Sequence, residues 1–479
     1  MLTHALARPL LRRFSTLRFM PTRVVTFARS LLRLSLALAL MLALPMLEWR
    51  GWDGQWRHGA AAWADDGDGG DGGGGADGEG GFTFPWREPS RPAARPTRPP
   101  PRRTQRAPKP PPPPADVVPN ELLALNPTPA ALGRATALGA TEVETVAAGA
   151  LGLRVVRLRL PAGLSVQNAL AQLVTTDPGV FERHHRYTLQ QAKAATPAAD
   201  RCEGPACTMP GRLAGLIDWP ADARQCGRGQ VVGMVDTPVQ ASHPALAGAE
   251  LRAEGFHDAD RTAAPADHGT AVAALLVGRA DDAFAGLLPR ARLFAAAPFH
   301  QPAQGEPIAD ASALVKSLDW LAAQRVQVIG MSLAGPRNLV LNAAVQAVAD
   351  KGIVVAAAAG NGGPNAAPAY PAAFERVLGV TAIDAKRQVY RRAQRGAHID
   401  FALPGVEVWT AGLDGQGRRR SGTSYAVPFM VAFVSQSLAQ RSIGRDELLQ
   451  GRAGPVLDLG APGHDPIFGW GQPRFEGKC

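Results

Sequence analysis

Five nearly unbroken apolar runs recur through the second half of the chain, and longer amphipathic stretches separate them. The runs are QVVGMVDT (230–237), RLFAAAPF (292–299), VQVIGMSL (326–333), IVVAAAAG (353–360) and VLGVTAID (377–384). Two intervening stretches, 311–325 and 338–351, have helical spacing. Apolar strands that alternate with helices are typical of a parallel sheet. The pattern predicts an α/β domain with a doubly wound, mostly parallel sheet and helices on both faces.

A different pattern precedes this domain, between residues 118 and 190. It predicts strands at ELLAL, TEVETVAA, LRVVRLRLP and GVFERHHRYTLQ, and helices at PAALGRATALGA and SVQNALAQLVTTD. Ser165 is a candidate N-cap of the second helix. The β-α-β-β-α-β order predicts a small ferredoxin-like α+β domain. His184 and His185 point to opposite faces of a strand, so we interpret them as surface or packing residues and not as metal ligands.

The first 64 residues have the composition of an export signal. Seven arginines precede the apolar run LSLALALMLALPML, Leu34–Leu47, and Ala62-Trp63-Ala64 is a candidate cleavage site. The run is short for a membrane span, and the cleavage site lies far from it. Residues 1–64 are therefore interpreted as a signal peptide or a signal-anchor. Either one predicts a periplasmic or extracellular protein, and a signal-anchor would tether it to the membrane before processing.

Residues 65–115 lack the apolar residues of a folded domain. Positions 65–81 hold ten Gly and six acidic residues, and positions 85–114 hold 13 Pro and eight Lys or Arg. This composition predicts a disordered or extended linker. Residues 1–115 also carry +8 of the formal net charge of +10, and the basic stretch has no aromatic residues interleaved with its arginines for base stacking. We therefore expect no nucleic-acid partner.

The four cysteines lack the spacing of a zinc site. In an exported protein they could form two disulfides with three possible connectivities, and four free thiols are the alternative. Cys202 and Cys207 are close enough in sequence to close a tight loop. Cys226 and Cys479 flank the α/β domain at its two ends. Our hypothesis pairs each of these couples.

Polar residues follow several predicted strands, at the edge where parallel sheets bind ligands. Asp236 ends the strand VVGMV, Asn361 follows IVVAAAAG, and His268 begins the apolar helix DHGTAVAALLVG. Ser424 lies in SGTSYAVPFM, where Gly422 permits a tight turn and the later proline fits the first turn of a helix. Each residue alone has an ordinary structural interpretation, as a turn residue, a packing histidine or a helix cap.

In chain order, the motifs VDT, HGTAVA, MSLAGP, AAAAGNGGP, YPAAF, GTSYAVP and FGWGQP resemble those of the subtilisin-like serine proteases, over about residues 212–475. The resemblance implies an endopeptidase with an Asp236, His268 and Ser424 triad and an acyl-enzyme intermediate. It implies an oxyanion hole made by the Asn361 side chain and the Ser424 backbone N–H. No calcium-binding pattern is evident, and we expect no metal or cofactor. The implied substrate-binding residues are Ser332, Leu333, Ala334, Gly335, Ala358 and Gly360.

Two positions depart from the family pattern. Pro238 stands where the family usually has Gly, and Gly330 stands where it usually has Asn. Both changes leave the catalytic side chains in place, so they bear on efficiency and substrate preference. The small apolar walls of the implied pocket predict an apolar or broad preference.

The resemblance also gives residues 118–190 a role, as a prodomain that assists folding and blocks the active site. It divides the remaining chain into a processing segment, 191–211, and a protease domain, 212–479. The small-residue stretch AKAATPAAD predicts self-cleavage between about Gln191 and Arg201. An unrelated interaction domain is the alternative for 118–190.

The expected partners are protein or peptide substrates and the chain's own prodomain. Two other functions stay open from the sequence. One is a catalytically impaired subtilase-like protein that binds peptides without cutting them. The other is a structural envelope protein whose Pro/Arg-rich stalk is its functional part.

Overall fold

The computed structural model describes residues 116–189, 216–220, 223–278, 284–441, 445–450, 455–475 and 479. The predicted signal and linker regions, the processing segment and the Cys202–Cys207 pair lie outside these ranges. The strands are β1 Val117–Leu125, β2 Thr141–Ala148, β3 Leu153–Arg159, β4 Phe181–Leu189, β5 Val231–Val235, β6 Glu250–Gly255, β7 Arg292–Ala297, β8 Phe299–His300, β9 Ile308–Asp310, β10 Val328–Met331, β11 Leu333–Ala334, β12 Val354–Ala358, β13 Val377–Ile383, β14 Phe401–Pro404, β15 Val408–Ala411, β16 Gly417–Arg420, β17 Val456–Leu457 and β18 Gln472–Pro473. The helices are α1 Pro129–Ala137, α2 Val166–Thr176, α3 Asp267–Val277, α4 Ala311–Ala323, α5 Leu339–Asp350, α6 Val427–Arg441 and α7 Arg445–Leu449.

A seven-stranded parallel sheet forms the centre of the larger domain, in the order β14-β13-β12-β10-β5-β7-β6. The predicted parallel sheet is therefore confirmed. Within this sheet the chain enters at β5, passes to the edge strand β6 and returns to β7 beside β5. It then continues on the other side of β5 through β10, β12, β13 and β14. The order reverses between β5 and β10, which is where α/β sheets place their ligand sites.

Neighbouring residues of the central strands enter two different hydrophobic cores. In β10, Val328 packs into the core that contains α3 and α6, while Ile329 packs into the core that contains α4 and α5. Val354 and Val355 divide in the same way in β12. This alternation explains why the strands are apolar at every position, since both faces of the sheet are covered.

The N-terminal part, residues 117–189, has the predicted β-α-β-β-α-β element order. Its strands are antiparallel neighbours in the order β2-β3-β1-β4. Ser165 caps α2 as expected, because its hydroxyl accepts a hydrogen bond from the Asn168 N–H at 3.1 Å. One face of the sheet packs on α1 and α2, and residues such as Leu123 and Val155 on the other face join the core that contains α4 and α5.

Strand β4 continues this N-terminal sheet into the larger domain. It pairs antiparallel with β9 and also with β11, where Thr188 is opposite Ala334 and Leu189 is opposite Leu333. The Tyr187 ring is fully buried, and its hydroxyl donates to the Pro336 carbonyl at 3.0 Å. Strand addition of this kind satisfies the main chain of both partners.

Buried charges reinforce the contact between the two parts. Arg157 donates to Glu121 at 2.9 Å and to Asp258 of the larger domain at 2.9 Å. His184 lies between Glu121 and the Ser312 hydroxyl, at 2.9 and 3.0 Å. Burial opposes the Glu121 charge, but the His184 and Arg157 hydrogen bonds lower its pKa to about 2. His184 is therefore a packing residue of the interface.

His185 is buried on the other face of β4, where its Nδ1 lies 2.9 Å from the Asn338 side-chain nitrogen. Both histidines thus face protein.

Within the described ranges, no helix combines the length and the hydropathy that crossing a bilayer requires.

A disulfide joins Cys226 to Cys479 across 253 positions of sequence, which confirms that pairing. Closing so long a loop restricts the unfolded chain, so we expect the Cys226→Ser/Cys479→Ser variant to lose about 5 kcal/mol of unfolding free energy. Urea denaturation of wild-type and variant protein measures the difference. Reduced wild-type protein is the control and should unfold like the variant, whereas an unchanged midpoint would contradict the expectation.

Candidate active site

The predicted triad residues come from three separate elements at the carboxyl edge of the central sheet. Asp236 directly follows β5, and His268 is the second residue of α3. Ser424 lies in a 3-10 turn, Thr423–Tyr425, which precedes α6. All three side chains are buried. Sequence separations of 32 and 156 residues are thus closed by the fold.

The hydrogen-bond geometry links the three side chains in series. His268 Nδ1 lies 2.7 Å from Asp236 Oδ1, and His268 Nε2 lies 2.9 Å from Ser424 Oγ. An imidazole that donates from Nδ1 to a carboxylate presents Nε2 as the acceptor for the hydroxyl proton. The arrangement can therefore take a proton from Ser424.

The turn before Ser424 depends on glycine. Gly422 has φ of 152° and ψ of 155°, a conformation that residues with a Cβ rarely adopt. The helix that follows begins at Val427, two residues later than the 3-10 turn ends, so Ser424 precedes the helix and is not its first residue. Pro428 is the second helical residue, where its missing N–H costs no intrahelical bond.

Thr237 connects the aspartate loop to the histidine helix. Its N–H donates to Asp236 Oδ1 at 2.7 Å, and its hydroxyl accepts from the Gly269 N–H at 2.8 Å. A Cβ on Gly269 would lie 2.2 Å from the Thr237 carbonyl oxygen, so glycine is needed for this close approach. These contacts fix the position of the Asp236 carboxylate relative to the helix that carries the His268 imidazole.

The predicted oxyanion residue is held by the residue before the nucleophile. Asn361 Oδ1 accepts from the Thr423 backbone N–H at 3.2 Å and from the Thr423 hydroxyl at 3.1 Å. The same hydroxyl accepts from the Gly360 N–H at 3.3 Å. Because the oxygen of the amide is fixed in this way, the orientation of the Asn361 amide nitrogen is fixed too.

The predicted substrate-binding residues fall into two groups. Leu333 and Ala334 form β11 beside β4, and Gly335 leaves the space that the Tyr187 ring fills, since a Cβ there would lie 2.5 Å from it. Ser332 precedes β11, and its hydroxyl donates to the Ser424 carbonyl at 3.4 Å.

The second group lies on the neighbouring strand. Ala358 ends β12 and pairs with β13, and Gly360 follows with a φ of 111°. A Cβ on Gly360 would lie 2.6 Å from the Gln394 side-chain amide. Ala358 and Gly360 therefore contact the β13–β14 side of the site, and neither pairs with β4.

Gly330 has a packing explanation. A Cβ at this position would lie 2.9 Å from Val431 and 3.0 Å from Val427, both on α6. The helix that follows the nucleophile therefore packs more closely on β10 than a larger residue would allow. For Pro238, the structure places its carbonyl oxygen 2.6 Å from where a Gly269 Cβ would be, so the loop is also tightly packed.

Sequence reasoning overlooked four residues around the site: Thr237, Asp267, Thr423 and Arg420. The first three lie inside the quoted motifs, but only their positions next to assigned residues could have drawn attention to them. Arg420 carries no local signal, since it is one of three consecutive arginines.

Within the described part of the chain, no group of three or more His, Cys, Asp or Glu side chains is placed to hold a metal ion.

Comparisons with known proteins agree on one family. The profile of the Subtilase family matches residues 227–471. Thermitase of Thermoactinomyces vulgaris is 33% identical over 219 residues, which are 45% of this chain and 76% of thermitase. Minor extracellular protease Epr of Bacillus subtilis (strain 168) is 29% identical over 217 residues, which are 44% of this chain and 33% of Epr.

One solved structure extends the likeness beyond the matched domain. Fervidolysin from Fervidobacterium pennivorans, a keratinolytic enzyme related to subtilisin, superposes with a TM-score of 0.61 at 18% identity. The match covers 75% of this chain and 60% of fervidolysin, and it supports the fold. The chain spans from a third to about three quarters of the length of these relatives. On the family profile and the thermitase match, the chain belongs to the subtilase family.

Proposed function

We propose that this protein is an exported serine endopeptidase that hydrolyses peptide bonds through Asp236, His268 and Ser424. The observation that carries the proposal is the position of His268, which lies within hydrogen-bond distance of both the carboxylate and the hydroxyl. A hydroxyl is a weak nucleophile until a neighbouring base takes its proton. Membership of the subtilase family, whose members similar to this chain include the minor extracellular protease Epr, supports the same reaction.

Acylation begins when Ser424 Oγ attacks the carbonyl carbon of the scissile bond and its proton passes to His268 Nε2. The carbonyl oxygen becomes an oxyanion, which the Asn361 side-chain N–H and the Ser424 backbone N–H would stabilise. The C–N bond then breaks as His268 returns the proton to the leaving amine. The product is an ester between the substrate acyl group and Ser424.

Deacylation repeats these steps with water. His268 takes a proton from the water as it attacks the ester, and the second tetrahedral intermediate releases the carboxylic acid. The proton returns from His268 to Ser424 Oγ. Throughout, Asp236 accepts from Nδ1–H, which fixes the tautomer and stabilises the imidazolium.

The segment 118–190 acts, in this proposal, as a ferredoxin-like prodomain and intramolecular inhibitor. Its last strand, β4, fills the position between β9 and β11 that an extended substrate would occupy by strand addition. The buried Tyr187 and the Arg157–Asp258 pair add contacts that a short peptide lacks. The prodomain therefore competes for this strand position with the part of a substrate that precedes the scissile bond.

Self-processing should follow from this arrangement. Leu189 pairs with Leu333, next to Ser332, whose hydroxyl contacts the Ser424 carbonyl. We therefore expect cleavage soon after Leu189, at the start of the stretch from about Gln191 to Arg201. N-terminal sequencing of purified wild type and of a Ser424→Ala variant measures this, and only the wild type should lose its N-terminal third.

An identical N-terminus near Asp65 in both proteins would overturn self-processing. Residues 118–190 would then be a permanent accessory domain. Export and any tether before processing are tested in the same experiment, by fractionating cells and sequencing the membrane-bound and released forms.

Active-site labelling tests the reaction itself. A fluorophosphonate probe should label the processed wild type at Ser424, and the labelled protein should lose casein hydrolysis in parallel. Binding of peptides with neither labelling nor hydrolysis would reject the enzyme and favour a peptide-binding protein.

A further inference from the structure

A partly buried ion pair joins the helix that carries His268 to the strand that leads to Ser424. The two terminal nitrogens of Arg420 donate to the two carboxylate oxygens of Asp267, each at 2.7 Å. Asp267 directly precedes His268, and Arg420 ends β16, four residues before Ser424. The Arg420 side chain is only 10% exposed. Bidentate pairs of this kind fix orientation as well as distance.

Tyr425 completes the cluster on the nucleophile side. Its hydroxyl is hydrogen-bonded to Arg420, and its ring centroid lies 5.0 Å from that of His268. Burial raises the pKa of the Tyr425 phenol, so the hydroxyl stays protonated. Arg420 therefore contacts both the residue before the base and the residue after the nucleophile.

The neighbouring arginines of the same strand behave differently. Arg418 pairs with Asp414, and Arg419 pairs with Glu407, whose side chain is 69% exposed. Both partners lie close in sequence and outside the catalytic segments. Exposed pairs of this kind contribute little to stability. The contrast sets Arg420 apart from the rest of the basic run.

We propose that Arg420, together with Asp267 and Tyr425, positions His268 relative to Ser424 for proton transfer. The inference rests on the proposed endopeptidase function. The two catalytic side chains belong to elements that are 156 residues apart, and the 2.9 Å contact between them must survive substrate binding. Arg420 is a positioning residue, because it acts through Asp267 and Tyr425 and touches neither reacting atom.

The charged groups around His268 allow this proposal to be tested by the pH dependence of activity. Among the described residues, the charged or titratable groups near His268 include Asp236 after β5, Asp267 on α3, Arg420 on β16 and Tyr425 in the 3-10 turn. His243 precedes a second 3-10 turn, Pro244–Leu246, which packs against α3, and its Nε2 lies 2.8 Å from the Gly412 carbonyl oxygen.

The negative charge of Asp267 and the positive charge of Arg420 offset each other while both side chains are present. Removing the Arg420 charge leaves an anion beside His268, which stabilises the imidazolium and raises the His268 pKa. Removing the Asp267 charge leaves a cation and lowers it. The base must be neutral to take a proton, so kcat/KM falls on the acidic side of its pH profile. This acidic limb should move to higher pH in Arg420→Met and to lower pH in Asp267→Asn.

Steady-state kinetics of the processed enzyme on a chromogenic peptide, measured across pH, test both effects. We expect kcat to fall about 10- to 100-fold in Arg420→Met and Asp267→Asn, with KM changed less than about threefold, because misalignment affects the reacting geometry. Arg420→Lys should recover part of the loss. Arg419→Met is the matched control and should keep the wild-type kcat and pH profile.

Tyr425→Phe removes a hydroxyl and no charge. It is the alternative test of the cluster if the Arg420 and Asp267 variants fold poorly. It should lower kcat severalfold and leave the acidic limb in place. Limbs that move in the same direction in both charge variants, or an unchanged kcat, would overturn the proposal.

NMR titration of histidine-labelled, full-length Ser424→Ala protein needs no hydrolysis and separates this inference from the proposed function. With the His268 signal assigned by His268→Ala, the Arg420→Met and Asp267→Asn changes should move its pKa in opposite directions. A wild type that hydrolyses no peptide would reject the endopeptidase, and an unmoved His268 pKa would reject the positioning cluster.

Discussion

Ser424→Ala is expected to reduce peptide hydrolysis by about 10⁶-fold while leaving the fold intact. The hydroxyl oxygen is the atom that would form the acyl bond, and it lies 2.9 Å from His268 Nε2, the proposed acceptor of its proton. The side chain is buried, yet its loss removes a single oxygen, so little packing is lost. Initial rates on casein and on a peptide substrate measure the effect.

Ser437→Ala is a matched control, because Ser437 is also buried but lies on α6, away from the triad. It should hydrolyse casein at the wild-type rate. Thermal denaturation should give midpoints within a few degrees for Ser437→Ala and the wild type, and Ser424→Ala, which is expected to keep its N-terminal third, should still unfold cooperatively. Turnover retained in Ser424→Ala at more than a trace would mean that another group is the nucleophile.

Asn361→Ala should lower kcat by about 10² to 10³-fold with little change in KM, since an oxyanion donor acts on charge that develops in the transition state. The variant also removes the acceptor of the two Thr423 donors, so part of the loss can come from movement of the nucleophile turn. Stopped-flow burst kinetics on an ester substrate would locate the slowed step in acylation.

Asn365→Ala lies on the same loop, where the side chain is exposed, and should behave as wild type. An Asn361→Ala enzyme with raised KM and normal kcat would make Asn361 a ground-state contact. In that case the oxyanion would need a different side-chain donor.

The buried contacts between β4 and the larger domain have a consequence for activation. Cleavage after Leu189 would leave β4 paired with β9 and β11, and the Arg157–Asp258 and His184–Ser312 contacts would still hold the domain in place. In the proposed maturation, release of residues 118–190 would therefore be a separate step from cleavage. Its rate can be followed as the lag between the loss of full-length chain and the appearance of hydrolysis.

Local pattern determined most of the secondary structure in advance. The stretch predicted as a helix from 311 to 325 is helical over Ala311–Ala323, and the stretch from 338 to 351 is helical over Leu339–Asp350. The unbroken apolar runs became the parallel strands, because a strand covered on both faces needs an apolar side chain at every position. These features follow from neighbouring residues, so the sequence alone could specify them.

Motif order indicated the candidate catalytic residues, and the fold brought Asp236, His268 and Ser424 within hydrogen-bond distance. The sequence also indicated a tight turn at Gly422 and a helix with Pro428 in its first turn, and the structure places a 3-10 turn, Thr423–Tyr425, before α6.

Long-range pairing was decided by the tertiary structure alone. The sequence predicts a strand at β4, but its position between β9 and β11 depends on main-chain groups that carry no sequence signal. The Arg420–Asp267 pair spans 153 residues, and three consecutive arginines look alike until the fold places one of them beside the histidine helix. Residue type determined which chemistry was available to this protein, and only the folded backbone decided which of those groups meet.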